Sequence, residues 1–67
     1  MARQRLTPTQ RKAQIVDAAV RIAERDGLEA ITRDGVAAEA KCATGLVSHY
    51  FRPLELLVVE VKGKMHG

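Results

Sequence analysis

Sixty-seven residues suffice for one small domain. A chain this short hides only about 60% of its unfolded surface, so its stability margin is thin and a partner chain is a natural staple. A single cysteine, Cys42, excludes an internal disulfide, and with only His49 and His66 beside it no recognised metal-ligand spacing arises, so neither metal nor cofactor is expected. The net charge of +3 is modest. No apolar run reaches the length of a signal-peptide core or the roughly 18 residues of a membrane span, so a cytoplasmic chain with no membrane partner is expected.

The placement of the charge says more than its sum. Arg3, Arg5, Arg11 and Lys12 fall in the first twelve residues without an acid among them, whereas from 13 to 61 acids outnumber bases eight to five. Residues 1–7 are expected to form a flexible basic arm and 8–67 the folded domain. Such an arm suits contact with phosphates; a solubilising tail is the plainer alternative.

Thr7-Pro8-Thr9-Gln10 predicts a helix start. Thr7 stands as N-cap, Pro8 fits the first helical position and Gln10 completes a capping box, with Thr9 as a rival cap. The helix should run over 8–26, burying Ile15, Ala18, Ala19 and Ile22 at the spacing of one face, and Gly27 should close it in a left-handed conformation. Leu28 and Ile31 are expected to plug the core beneath the connection. Thr32 is the next N-cap, for a helix over 33–40 that buries Val36, Ala37 and Ala40 and carries Asp34 in its first turn. Gly35 is unfavourable within it by up to about 1 kcal/mol relative to alanine, which a tight helix crossing would explain.

Lys41-Cys42-Ala43 reads as a turn, with Cys42 as a small core residue. A second short helix over 44–51 follows, so short that packing must hold it. A short helix, a tight break and another short helix with outward polar side chains describe a helix-turn-helix. Arg52-Pro53 interrupts the pattern, and Pro53 can open a further helix over about 54–65. Leu54, Leu57, Val58 and Val61 form one stripe there, while Leu56 and Val59 widen it beyond what a small domain needs. A strand is the alternative for this valine-rich run. The expected fold is all-α, a small four-helix domain with a homeodomain-like three-helix core that contains the helix-turn-helix, plus a C-terminal helix.

These residues resemble the N-terminal DNA-binding domain of the TetR family of bacterial repressors, over roughly residues 11–57. Arg11, Ile15, Ala18, Ala19 and Gly27 are similar to that family's first helix and its closing glycine. Thr32 before Val36, Ala37 and Ala40 is similar to its second helix. Thr44-Gly45-Leu46-Val47-Ser48-His49-Tyr50-Phe51 looks like its recognition helix, and Glu55 and Leu57 sit where its fourth helix begins. Four positions depart from the pattern. Lys41 stands where the family usually has glycine, Ala43 where it often has serine, Ser48 where it often has tyrosine, and Leu54 where a lysine commonly meets phosphate. The resemblance implies a sequence-specific regulator of double-stranded DNA, a repressor acting as a homodimer. Family repressors also have a long helical domain for ligand and dimer formation, which these residues do not contain, so no small-molecule inducer is expected to bind within this chain.

The expected DNA-binding residues are Arg3, Arg5, Thr32, Arg33, Thr44, Gly45, Ser48, His49 and Tyr50. A recognition helix fits the major groove, where side chains reach base edges. Thr44 meets base or phosphate, Gly45 permits close backbone approach, and Ser48 and His49 donate to bases or phosphates. Leu46 or Val47 touches a thymine methyl or else packs in the core. Thr32 and Arg33 open a helix whose free N–H groups favour a phosphate, although Thr32 also reads as a plain structural cap. Tyr50 is expected to pack its ring inward with its hydroxyl outward. Arg3 and Arg5 suit a minor groove. No Arg, Asn or Gln lies between 44 and 51, so shape and phosphate contacts should weigh heavily. Catalysis is not expected, because no nucleophile, base and orienting group form a set. The competing reading is a protein-interaction module that uses the apolar fourth helix, since the lysine expected at Leu54 is missing. The surplus apolar face around Leu56, Val59 and Met65 motivates a homodimer through the C-terminal helix.

Overall fold

In the computed structural model, which describes residues 7–66, four helices pack around one apolar core. The first helix, α1 (Pro8–Asp26), begins with a complete capping box. The Thr7 hydroxyl oxygen accepts from the Gln10 N–H at 3.1 Å, and the Gln10 side-chain oxygen accepts from the Thr7 N–H at 2.9 Å. Two of the N–H groups that a helix start leaves unpaired are thereby satisfied, and Thr7 rather than Thr9 is the cap. Ile15, Val16, Ala18, Ala19, Ile22 and Ala23 turn inward.

Gly27 ends α1 with φ 99° and ψ 161°. The positive φ is as expected, but the extended ψ lies outside the left-handed helical region, in a part of backbone space open essentially to glycine alone. It leads into a single 3-10 turn over Leu28–Ala30 that brings Ile31 into the core, with Leu28 packed partly against it.

The second helix, α2 (Arg33–Ala40), is capped by Thr32, whose hydroxyl oxygen accepts from the Gly35 N–H at 3.0 Å. This contact accounts for Gly35. A methyl group there would stand 2.8 Å from that oxygen, while Ile22 of α1 lies at an ordinary 3.8 Å. The glycine makes room for the cap, and the helix crossing does not require it. At the other end Lys41 adopts the left-handed conformation, φ 59° and ψ 48°. Its N–H donates to the Ala38 carbonyl at 3.3 Å and the Cys42 N–H to the Ala37 carbonyl at 2.9 Å. That pair of bonds is a Schellman closure, and Cys42 packs partly against the core beside it.

The third helix, α3 (Thr44–Tyr50), is one residue shorter than its sequence pattern suggests. Phe51 lies just past it with φ −131°, still donating its N–H to the Val47 carbonyl at 2.9 Å. Leaving the helix lets the Phe51 ring drop into the core, where it is among the largest fully buried side chains. The last helix, α4 (Glu55–His66), starts later than Pro53 suggests. Pro53 contributes its carbonyl, which accepts from the Leu56 N–H at 3.1 Å, and the regular helix begins two residues on. The run is helical, so the strand alternative is not realised. Leu57 and Val61 are fully buried, and Leu54 and Val58 pack partly against them.

The central element is α1, which packs against both α2 and α4, while α2 carries α3. Ile15, Val36, Val47, Phe51, Leu57 and Val61 join all four helices in one cluster, and no polar or charged side chain is buried among the described residues. Leu56 and Val59 face away from that cluster, 51% and 64% exposed. None of the described helices is long and apolar enough to cross a membrane.

Candidate nucleic-acid interface

A helix advances about 100° per residue. On α3 that puts Thr44, Gly45, Ser48 and His49 within one arc, with Leu46, Val47 and Tyr50 on the other. The packing follows this division. Thr44, Gly45 and His49 are exposed and Ser48, between Thr44 and Gly45 on the arc, is half-buried, whereas Val47 is wholly buried and Leu46 and Tyr50 lean on the core. Val47 is therefore a core anchor, and Leu46 too packs partly against the core. Nothing lies within 4 Å of where a side chain at Gly45 would begin, so the outward surface there is flat backbone. The Tyr50 ring packs inward as expected and meets the His49 ring edge-on, with centroids 5.0 Å apart at 80°.

Two contacts hold this helix at its ends. Beneath its end, Phe51 is buried and Lys12 of α1 places its ammonium 5.5 Å from the ring centroid, within the range of a cation–π contact. At its start the cap is missing: Ala43 precedes the helix and no side chain accepts from its first N–H groups. In place of a cap, the Thr44 hydroxyl donates to the Asp34 carboxylate at 3.1 Å, tying the first turn of α3 to the first turn of α2.

The start of α2 is exposed and carries Thr32, Arg33 and Asp34. Arg33 makes no ion pair among the described residues, which leaves its guanidinium available beside the helix N-terminus. Asp34 next to it offsets that charge. Arg21 and Arg25, by contrast, are engaged. Arg21 meets Glu39 at 3.1 Å, and Arg25 meets Asp26 at 3.0 Å and Glu39 at 3.5 Å, fastening α1 to α2 on the surface. The hydrogen bond from Arg21, reinforced by the charge of Arg25, holds the Glu39 carboxyl below the usual glutamate range. Arg25 is pushed up, chiefly by its hydrogen bond with Asp26.

Of the residues expected from sequence to meet DNA, Thr44, Gly45, Ser48 and His49 share one face of α3. Thr32 and Arg33 lie together at the start of α2, and Tyr50 belongs mainly to the core. Arg3 and Arg5 lie outside the described residues. Asp34 was legible only as a favourable first-turn acid. Its bond to Thr44 spans ten positions and depends on the angle between two helices, which no local pattern encodes.

The family model for bacterial regulatory proteins, tetR family, matches residues 15–61, from the buried face of α1 through the whole helix-turn-helix to Val61 of α4. The chain belongs to the TetR family. The matched region is that family's N-terminal helix-turn-helix domain. Among curated proteins, the HTH-type transcriptional regulator BetI of Burkholderia thailandensis is 46% identical over 41 residues, a stretch that makes up 61% of this chain and 21% of that protein. The chain thus spans about a fifth of the length of this relative. No solved structure matches it significantly. Within the TetR domain the departures at Lys41 and Ala43 have visible consequences. Lys41 occupies a backbone conformation that glycine adopts without cost, and Ala43 leaves α3 without the side-chain cap that serine provides.

Proposed function

We propose that this chain acts as a sequence-specific reader of double-stranded DNA that represses transcription as a homodimer in the cytoplasm. One observation carries the proposal: the outward face of α3 presents Thr44, Gly45, Ser48 and His49 together, while Val47 and Phe51 anchor the helix from behind. A helix held in this way fits a major groove with its polar side chains at the base edges. Ser48 and His49 are the proposed readers. Thr32 and Arg33 hold a phosphate at the start of α2, and Tyr50 supports His49 from the side. Residues 1–6, with Arg3 and Arg5, serve as a basic arm toward the minor groove, Thr7 being the cap of α1. The two copies meet through the outer face of α4, where Leu56 and Val59 leave apolar surface uncovered. No inducer binds within residues 8–67.

Selection of bound duplexes from a random pool tests this reading. An inverted repeat is the expected product, with affinity falling steeply as salt rises because phosphate contacts release counterions. Absence of any duplex binding at low salt overturns it. Light scattering at high micromolar concentration tests the dimer, and a strict monomer overturns that part. The exposed Leu56 and Val59 also favour a second reading, a module that docks another protein on α4. That reading gains if the chain binds no duplex and light scattering finds a monomer, since the α4 face is then covered by neither a second copy nor a dimer on DNA.

A further inference from the structure

We infer that Asp34 sets the polarity with which Thr44 faces DNA, and so acts as a positioning residue for base selection. The inference rests on the DNA-reading function proposed above and adds a residue outside its expected contact set. A threonine hydroxyl has one proton to give and two lone pairs to receive. Here the proton goes to the Asp34 carboxylate at 3.1 Å, a charge-assisted bond between two exposed side chains ten residues apart. No other hydrogen bond of that hydroxyl is among those described.

The consequence is chemical. With its proton committed, Thr44 offers the groove only lone pairs and a methyl group. It cannot donate to a phosphate oxygen, and the neighbouring carboxylate repels one. In the major groove, adenine presents its N6 amine and cytosine its N4 amine as donors, whereas guanine presents acceptors and thymine O4 likewise accepts. Thr44 held by Asp34 therefore selects an amino base, adenine or cytosine, over a keto base at the position it meets. Without Asp34 the hydroxyl turns freely and accepts either class. Asp34 also opposes Arg33 beside it, so it restrains affinity for duplexes in general.

The test uses the whole 67-residue chain and three variants, Asp34→Ala, Asp34→Asn and Thr44→Val. Duplex selection with the unaltered chain should return an amino-base preference at one position of each half-site. Asp34→Ala should flatten that position and raise affinity for unrelated duplexes several-fold at low salt. Asp34→Asn keeps an acceptor for Thr44 but removes the charge, so it should keep the preference while raising general affinity. Thr44→Val should flatten the position alone. A profile for Asp34→Ala that superimposes on that of the unaltered chain overturns the inference. A second readout needs no DNA: in a urea-unfolding cycle of Asp34→Ala and Thr44→Val, the two changes should be coupled by about threefold to tenfold in the folding equilibrium. Strict additivity overturns the inference even where DNA binding stands. Coupling with no duplex bound by the unaltered chain overturns the DNA-reading function, and base selection by Thr44 with it.

Discussion

The two helices of the helix-turn-helix begin in opposite ways. The start of α2 is closed locally, by a Thr32 hydroxyl that accepts from the Gly35 N–H and a glycine that leaves room for it. The start of α3 has no local closure; it follows Ala43, lasts seven residues, and draws its order from Val47 and Phe51 beneath it and from Thr44 reaching back to Asp34. One helix is specified by residues within four positions of its own start, the other by the fold that surrounds it. Both are too short to stand alone, so both rest on the finished domain, but only α2 also carries its own cap.

The contrast can be broken most severely at Phe51. Phe51→Ala should cost about 3–5 kcal/mol, enough in a domain this small to abolish cooperative thermal unfolding, and the loss would be followed by circular dichroism. The two helix starts should then answer inversely to single changes. Thr32→Ala should lower stability by about 1 kcal/mol and Ala43→Ser should raise it by a similar amount, both measured as shifts in the urea midpoint at constant slope. Equal and opposite shifts sharpen the comparison; an indifferent Ala43→Ser would mean that the start of α3 is already satisfied. Lys41→Gly between the two helices should give a smaller gain. The left-handed backbone costs a side-chain-bearing residue roughly 1–2 kcal/mol, and the looser unfolded chain of a glycine takes back about half of that. A rise of about 2–8 °C in melting temperature is expected.

The smallest effect belongs to the surface pairs that join α1 to α2. The Glu39 carboxyl is held below its ordinary value of 4.5, first by the Arg21 hydrogen bond. A carboxyl depressed in the folded state favours folding above its unfolded value, and that contribution disappears as pH falls through the folded one. Melting temperature should therefore decline more gently in the acid range for Glu39→Gln than for the unaltered chain, and the difference should shrink with added salt because the pairs are exposed.

How much of the molecule the residues announce follows the same division between local and distant causes. Thr7 with Gln10, Gly27, and Thr32 all act over a few positions, and α1 begins and ends, and α2 begins, where those signals place them. The periodicity of α3 likewise groups Thr44, Gly45, Ser48 and His49 on one face. Phe51 continues that pattern by spacing but leaves the helix, because its ring is needed in the core and not on the helix surface. Pro53 signals a helix start two residues early, since its carbonyl first closes a turn. The outward turn of Leu56 and Val59, and the bond between Asp34 and Thr44, depend on how helices lie against each other. A run of apolar residues on α4 says that surface is available without saying which side α1 covers.

Gly35 carries a consequence for how this sequence can change over generations. Alanine at that position gains up to about 1 kcal/mol as a helix former, yet its methyl would crowd the Thr32 oxygen at 2.8 Å and endanger a cap of about equal value. The gain is therefore offset by whatever shift the Thr32 side chain must make, and it is realised in full once Thr32 is lost. The worth of alanine at 35 thus depends on which residue stands at 32, so the two positions do not change independently.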